Sequence, residues 1–319
     1  MRKFIIAAIA AMFVLNVTVF YLMTHKQVEQ LPIVETPPIP IVESPPEVTP
    51  VEPRETVPEF VEVPVFRRSE EGSVYGDVMS HCEEAPFGDR AGRSTNAHET
   101  GHGIHSYLRN KYTRELGKRV NGFYGLQGRG IIVEEPNIRK SQVNNFVPQS
   151  LRGYRFPLYL QGQREWDDTP LYIYDEWNAY VLGGKCCVDD YQNNRYRGGN
   201  VDGVSGCLEF SIYSTAVCMA VKELDPIYWE NNKQFRDFTI WNLRESYKTF
   251  MLGRTMDKFK WDKQDVMLNA LLTSPDAEPM RKFLQENLAG VWLDIKPDEV
   301  KTTYKPEQCK IFNVEVDKH

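Results

Sequence analysis

His98-Glu99-Thr100-Gly101-His102-Gly103-Ile104-His105 is the stretch on which the reading of this chain turns. It holds three of the six histidines in an HExxH pattern followed by a further His. In a helix each residue advances by about 100°, so His98 and His102 share a face one turn apart, and His105 returns close to the azimuth of His98. One turn is the span that lets two imidazole nitrogens converge on a single ion at about 2.0 to 2.1 Å. Glu99, next to the first histidine, points to one side of such an ion, where a carboxylate can take a proton from water without occupying a coordination position. The residue types predict a zinc site with His98 and His102 as ligands and Glu99 as general base.

The flanks support a helix. Ser94, Thr95 and Asn96 are good N-cap types, and Ser106 to Tyr112 continue the pattern toward cations suited to a C-terminal end. Gly101 and Gly103 each cost a helix interior about 1 kcal/mol relative to Ala, so they are expected where another backbone or a substrate comes close. On a straight helix His105 lies about 10 Å further along the axis than His98, which makes it a supporting or wall residue rather than a third ligand. A hydrolytic zinc site keeps three protein ligands and one open position, so one ligand has to come from elsewhere. Leu171 to Val181 offers it. The stretch allows three helical turns before Gly183-Gly184, which are expected to end the helix, and Ile173, Trp177, Tyr180 and Val181 form an apolar face. Asp175 and Glu176 lie beside that face, and a carboxylate there needs a partner such as zinc unless the pair is solvated near the helix start.

With Glu176-Trp177-Asn178-Ala179-Tyr180 following the HExxH helix, the chain resembles the glutamate-zincin metallopeptidases, and is most similar to the small, largely helical group that includes the anthrax lethal factor catalytic domain. The resemblance spans residues 98–181 and rests on these two short motifs. It implies that His98, His102 and Glu176 hold zinc and that Glu99 activates water, with His105 and Asp175 left to support the ligands. No third His at the metzincin spacing and no methionine turn follow His102. The tyrosine that commonly supports the oxyanion in such enzymes cannot be aligned, since Tyr154, Tyr159, Tyr172, Tyr174 and Tyr180 are all available.

The N-terminus sets the expected location. After Met1-Arg2-Lys3, the twenty residues from Phe4 to Met23 carry no charge, which is the length that spans a bilayer core of about 30 Å. Their end lacks a small-x-small cleavage site, so residues 1–26 read as an uncleaved anchor with the bulk of the chain outside the cytoplasm, periplasmic or extracellular. Ten prolines fall between Pro32 and Pro64, so residues 27–68 read as an extended polyproline spacer. Residues 69–319 are then the catalytic domain, expected to be mainly α with a small edge sheet.

Six cysteines, all beyond the anchor and the spacer, agree with export and predict disulfides, with Cys186 and Cys187 stapling a loop after the Glu176 helix. The glycine-rich run Gly122 to Val133 reads as a strand or loop bordering the cleft, to which an extended peptide could add. A net charge of −6 without a basic aromatic tract gives no support for nucleic-acid binding, so no nucleic-acid partner is expected. The expected function is a membrane-tethered zinc metallopeptidase acting on a peptide or protein, cell-wall peptides included. Two readings from other classes stand beside it: an inactive zincin-fold binding module, and a structural envelope or virion-associated protein whose HExxH is accidental.

Overall fold

The structure is a computed structural model and describes residues 57–84, 92–198, 201–260 and 263–295. The expected anchor, most of the expected spacer, and Cys309 lie outside the described residues. What is described is mainly helical, with one small three-stranded antiparallel sheet.

The helices are α1 (Val74–Ser80), α2 (Arg93–Leu116), α3 (Tyr172–Gln192), α4 (Gly203–Leu224), α5 (Pro226–Asn231), α6 (Lys233–Gly253), α7 (Gln264–Thr273) and α8 (Glu278–Asn287). The strands are β1 (Val61–Glu62), β2 (Val120–Tyr124) and β3 (Arg129–Glu134), in the order β1-β3-β2. The larger core joins Trp177 of α3, Phe210 and Tyr213 of α4, Phe235, Phe238 and Phe250 of α6, and Leu271 and Leu284 of α7 and α8. A smaller core packs Val74 and Val78 of α1 and Ile104 and Leu108 of α2 against Leu182 and Cys186 of α3. The helix α4 is long and apolar enough to cross a membrane by length and composition. Its apolar circumference is covered by protein here, since 94 % of its most apolar window is buried, as befits a central core helix.

Five local expectations are corrected, each because tertiary packing overrides a local signal. The HExxH helix does not start at Ser94, Thr95 or Asn96; it starts after Gly92, with no side-chain cap. Its first turn is held from outside: Ser94 Oγ donates to Gly183 O at 3.1 Å, and the Arg93 guanidinium reaches Asp190 and Glu70 at 2.7 and 2.8 Å. Gly183-Gly184 does not end α3, which runs on to Gln192. The missing side chains leave room for neighbouring helices, because a Cβ on Gly183 would stand 3.1 Å from Ser94 O and one on Gly184 would stand 3.1 Å from Cys207 Sγ. Cys186 and Cys187 are therefore helical rather than in a loop, and the five described cysteines are all buried free thiols.

The glycine-rich run forms the β2–β3 hairpin, but β2 is not an open edge. All five of its residues are buried, Gly122 lies so close to α2 that a Cβ would stand 2.2 Å from Leu108 Cβ, and Tyr124 N–H donates to Asn178 Oδ1 at 3.0 Å. Helices cover the side to which a peptide would have to add. Finally, the end of the expected spacer is part of the packed structure. Val61 and Glu62 pair with β3, Val63 N–H donates to Gly128 O at 2.7 Å, and Phe66 N–H donates to Ser80 O at 2.9 Å. Pro58 and Pro64 keep this segment extended, and an extended strand can pair with a sheet as readily as it can span solvent.

Candidate metal centre

Helices α2 and α3 run antiparallel in contact, as the pairs Arg93–Asp190, Ser94–Gly183 and His102–Asp175 show, and they pack closely at Gly101. A Cβ there would stand 2.8 Å from Leu182 Cδ1 and 3.8 Å from Ala179 Cα. This answers the cost of a glycine inside a helix: the lost propensity is exchanged for a close crossing that brings the histidines of α2 against the carboxylates of α3. Gly103 does the same toward another neighbour, since its Cβ would stand 3.0 Å from Cys82 Sγ.

At the crossing, His98 Nε2 and His102 Nε2 lie 3.1 Å apart, and Glu176 Oε2 lies 3.6 Å from the first and 3.8 Å from the second. Ligands about 2.0 to 2.1 Å from a tetrahedral ion stand about 3.3 Å from one another, so the three atoms are close enough together to hold a metal ion. Glu176 Oε2 is buried without a hydrogen-bond partner. A buried carboxylate oxygen without a hydrogen bond is costly, and a cation shared with the two imidazoles beside it offsets that cost. The side chains of His98 and His102 keep 15 % and 26 % of their exposure, so solvent can reach the centre from one side. Glu99 is partly exposed on the same helix, and its charge is felt at His102.

A second tier holds these atoms. Asp175 Oδ1 lies 2.5 Å from His102 Nδ1 and 2.9 Å from His105 Nδ1. With the His102 proton on Nδ1, Nε2 is free to face Glu176 and His98, which is the tautomer a metal ligand needs. Desolvation works against charge on Asp175, yet His105 and then His102, with their hydrogen bonds, hold it well below the usual carboxylate range. Desolvation also opposes charge on His102, while Asp175, Glu176 and Glu99 push it up to about 10. The negative field that attracts a proton to this ring attracts a metal cation equally, and metal binding displaces that proton. His105 is fully buried and does not join the triad. Its Nε2 lies 2.8 Å from Asn178 Oδ1, the atom that also accepts the Tyr124 N–H. His102, His105 and Asp175 also cluster closely enough to hold an ion, but their contacts are those of hydrogen bonds, and Asn178 occupies the other nitrogen of His105.

Of the tyrosines, Tyr172 and Tyr180 flank the triad. Tyr172 Oη donates to Glu176 Oε1 at 2.7 Å, leaving Oε2 for the histidines. Burial, and next the Glu176 charge, raise the Tyr172 phenol, so it stays a donor. The Tyr180 ring stands edge-on to His98, with centroids 4.6 Å apart, and its hydroxyl accepts from Arg155 Nε at 3.2 Å. Tyr174 is turned into the core toward Thr239 and Cys218, Tyr154 donates to Asp202, and Tyr159 packs on Tyr172 and Phe210. Asn178, Arg109 and Arg155 were not singled out from the sequence. Arg109 Nη1 reaches Asp175 Oδ2 at 3.4 Å. The i, i+4 spacing of Tyr172 and Glu176 was a usable signal for their bond, whereas nothing local marks Asn178 or Arg155.

No family model matches the chain, no curated protein matches it, and no solved structure matches it.

Proposed function

We propose that the chain is a zinc-dependent metallopeptidase of the glutamate-zincin kind, held at a membrane by residues 1–26 and acting on peptide bonds outside the cytoplasm. The observation that carries the reading is the buried Glu176 Oε2, which makes no hydrogen bond and lies within 3.6 and 3.8 Å of nitrogens on two histidines one helical turn apart. His98, His102 and Glu176 would hold the ion. Zinc bound there lowers the pKa of water toward about 7 and polarises a carbonyl.

The remaining work falls to the chain. Asp175 holds His102 in the tautomer that presents Nε2, and Tyr172 occupies Glu176 Oε1 so that the other oxygen faces the histidines. Glu99 takes the proton of the attacking water and returns it to the leaving amide nitrogen. The apolar N-terminal run supports the membrane tether and the location. Disulfide pairing lends the location no support, because the five described cysteines are buried thiols. The test is metal content: the full-length protein should carry one zinc per chain and lose it on His98→Ala. A wild-type protein that takes up no stoichiometric zinc would sink the proposal.

A further inference from the structure

His98 and His102 are held in different ways. His102 has Asp175 on its Nδ1 at 2.5 Å, whereas Glu176 is the one carboxylate within ion-pair distance of His98 among the described residues. What packs against the His98 ring is Tyr180, edge-on with centroids 4.6 Å apart. Tyr180 follows Glu176 by one turn of α3, so the proposed ligand and this ring share a face of the helix. A ligating imidazole needs a fixed ring orientation, and packing can supply it where no hydrogen bond does.

The Tyr180 ring has little freedom of its own. Phe210 of α4 stacks on it with centroids 4.8 Å apart, and a Cβ on Gly206 would stand 2.2 Å from it. Its hydroxyl accepts from Arg155 Nε at 3.2 Å. Arg155 is 2 % exposed, and its other arms are committed to carboxylates, Nη1 to Glu209 Oε2 at 2.5 Å and Nη2 to Asp202 Oδ2 at 2.6 Å.

A buried guanidinium persists only with its charge balanced and its donors satisfied. Both carboxylates are themselves fixed. Glu209 Oε1 accepts from the Arg155 N–H at 3.0 Å and from the Tyr213 hydroxyl at 2.6 Å, and Asp202 accepts from the Tyr154 hydroxyl at 2.6 Å. A buried network satisfied in this way is rigid, and Nε passes that rigidity to Tyr180.

We propose that Arg155 is a positioning residue for the metal centre: it anchors Tyr180, whose ring sets the orientation of His98, as Asp175 sets that of His102. This rests on the zinc reading of the centre. A clamp that merely knits α3 to α4 would contribute to stability alone, whereas a positioning residue also changes how the ion is held.

The test uses the full-length protein, loaded with zinc or with cobalt(II) in its place. Tyr180→Phe removes the hydroxyl and keeps the ring, and Arg155→Lys keeps a cation facing Asp202 and Glu209 but loses the Nε donor. Each variant should weaken zinc binding about tenfold, the lower end of the cost of losing a ligand's outer support, and should alter the visible absorption of bound cobalt, which reports the arrangement of its ligands. The double variant should bind no more weakly than the worse single one, because both substitutions cut the same contact. Wild-type zinc affinity and an unchanged cobalt spectrum in Tyr180→Phe overturn the inference, whatever happens to stability or to the folding of Arg155→Lys. If the wild type takes up neither metal, the zinc reading fails, and NMR relaxation of the His98 ring in protein carrying isotope-labelled histidine decides the positioning role separately. A ring more mobile in Tyr180→Phe than in the wild type supports it, and a ring equally rigid in both overturns it.

Discussion

Asp175 and Glu176, adjacent on α3, address opposite nitrogens of the same imidazole: Asp175 Oδ1 lies 2.5 Å from His102 Nδ1, and Glu176 Oε2 lies 3.8 Å from His102 Nε2. Consecutive helical residues point about 100° apart, and here that divergence separates a carboxylate that orients the ring from one that faces its other nitrogen across the proposed metal position. The two carboxylates should therefore respond differently to removal, yet neither should be silent.

Glu176→Ala should abolish stoichiometric zinc binding. Asp175→Ala should keep the site but weaken it by about 10- to 100-fold, the usual cost of losing the partner that orients a ligating histidine. Competition titration with a metal-indicator dye reads both. Wild-type affinity in Asp175→Ala would remove the orienting role.

Glu99→Gln keeps the size of the side chain and removes its basicity. Zinc content should stay at the wild-type level while peptide hydrolysis falls by about 10²- to 10⁴-fold. Equal activity in the variant, measured on any peptide the wild type cuts, would exclude Glu99 as the base.

Gly206→Ala tests the packing behind His98. A Cβ on Gly206 would stand 2.2 Å from the Tyr180 ring, which leans edge-on against His98. The expected outcome is a loss of about 1 to 3 kcal/mol in chemical denaturation, the range for overpacking, together with weaker zinc binding as the Tyr180 ring is displaced. Unchanged values in both measurements would show that α4 can move away at no cost.

Acid stability should report the ion pair between α3 and α6. Glu245 accepts from Lys185, and from Lys248 at 3.2 Å. Burial opposes its charge, but Lys185 and then Lys248 bring it from the ordinary 4.5 down to about 2. A folded-state value below the unfolded one stabilises the fold above about pH 5, and that contribution, at most about 3 kcal/mol, is lost as the pH falls through about 2. Glu245→Gln should flatten this acid limb in denaturation curves recorded between about pH 6 and pH 2. It should also lower stability at neutral pH, where Lys185 would lose its counter-charge.

The helices were legible where amphipathic or apolar periodicity is strong. In the sequence Leu208 to Val221 carries a buried-helix pattern, and it falls within α4; residues 232–251, 263–272 and 278–288 carry amphipathic patterns, and they coincide closely with α6, α7 and α8. Apolar periodicity survives folding because the helix itself creates the face that must be buried. Punctuation was less reliable. Gly183-Gly184 carries a stop signal and Ser94 to Asn96 a start signal, and both lie inside helices because neighbouring segments satisfy what the local sequence leaves open. The exposed-edge expectation for Gly122 to Val133 failed for a related reason: the same glycines that loosen a strand also let α2 lie against it.

By itself, the sequence determined the one-turn spacing of His98 and His102, the place of Glu99 beside them, and the axial offset that keeps His105 from joining the triad, since these follow from helical geometry alone. Only the tertiary structure decided which neighbouring carboxylate faces Nε2, that Tyr172 completes Glu176, and that Asn178 and Asp175 hold His105. Those relations depend on the register between α2 and α3 where Gly101 meets Ala179 and Leu182. The register is set by packing between segments some seventy residues apart in the chain, and no local periodicity encodes it.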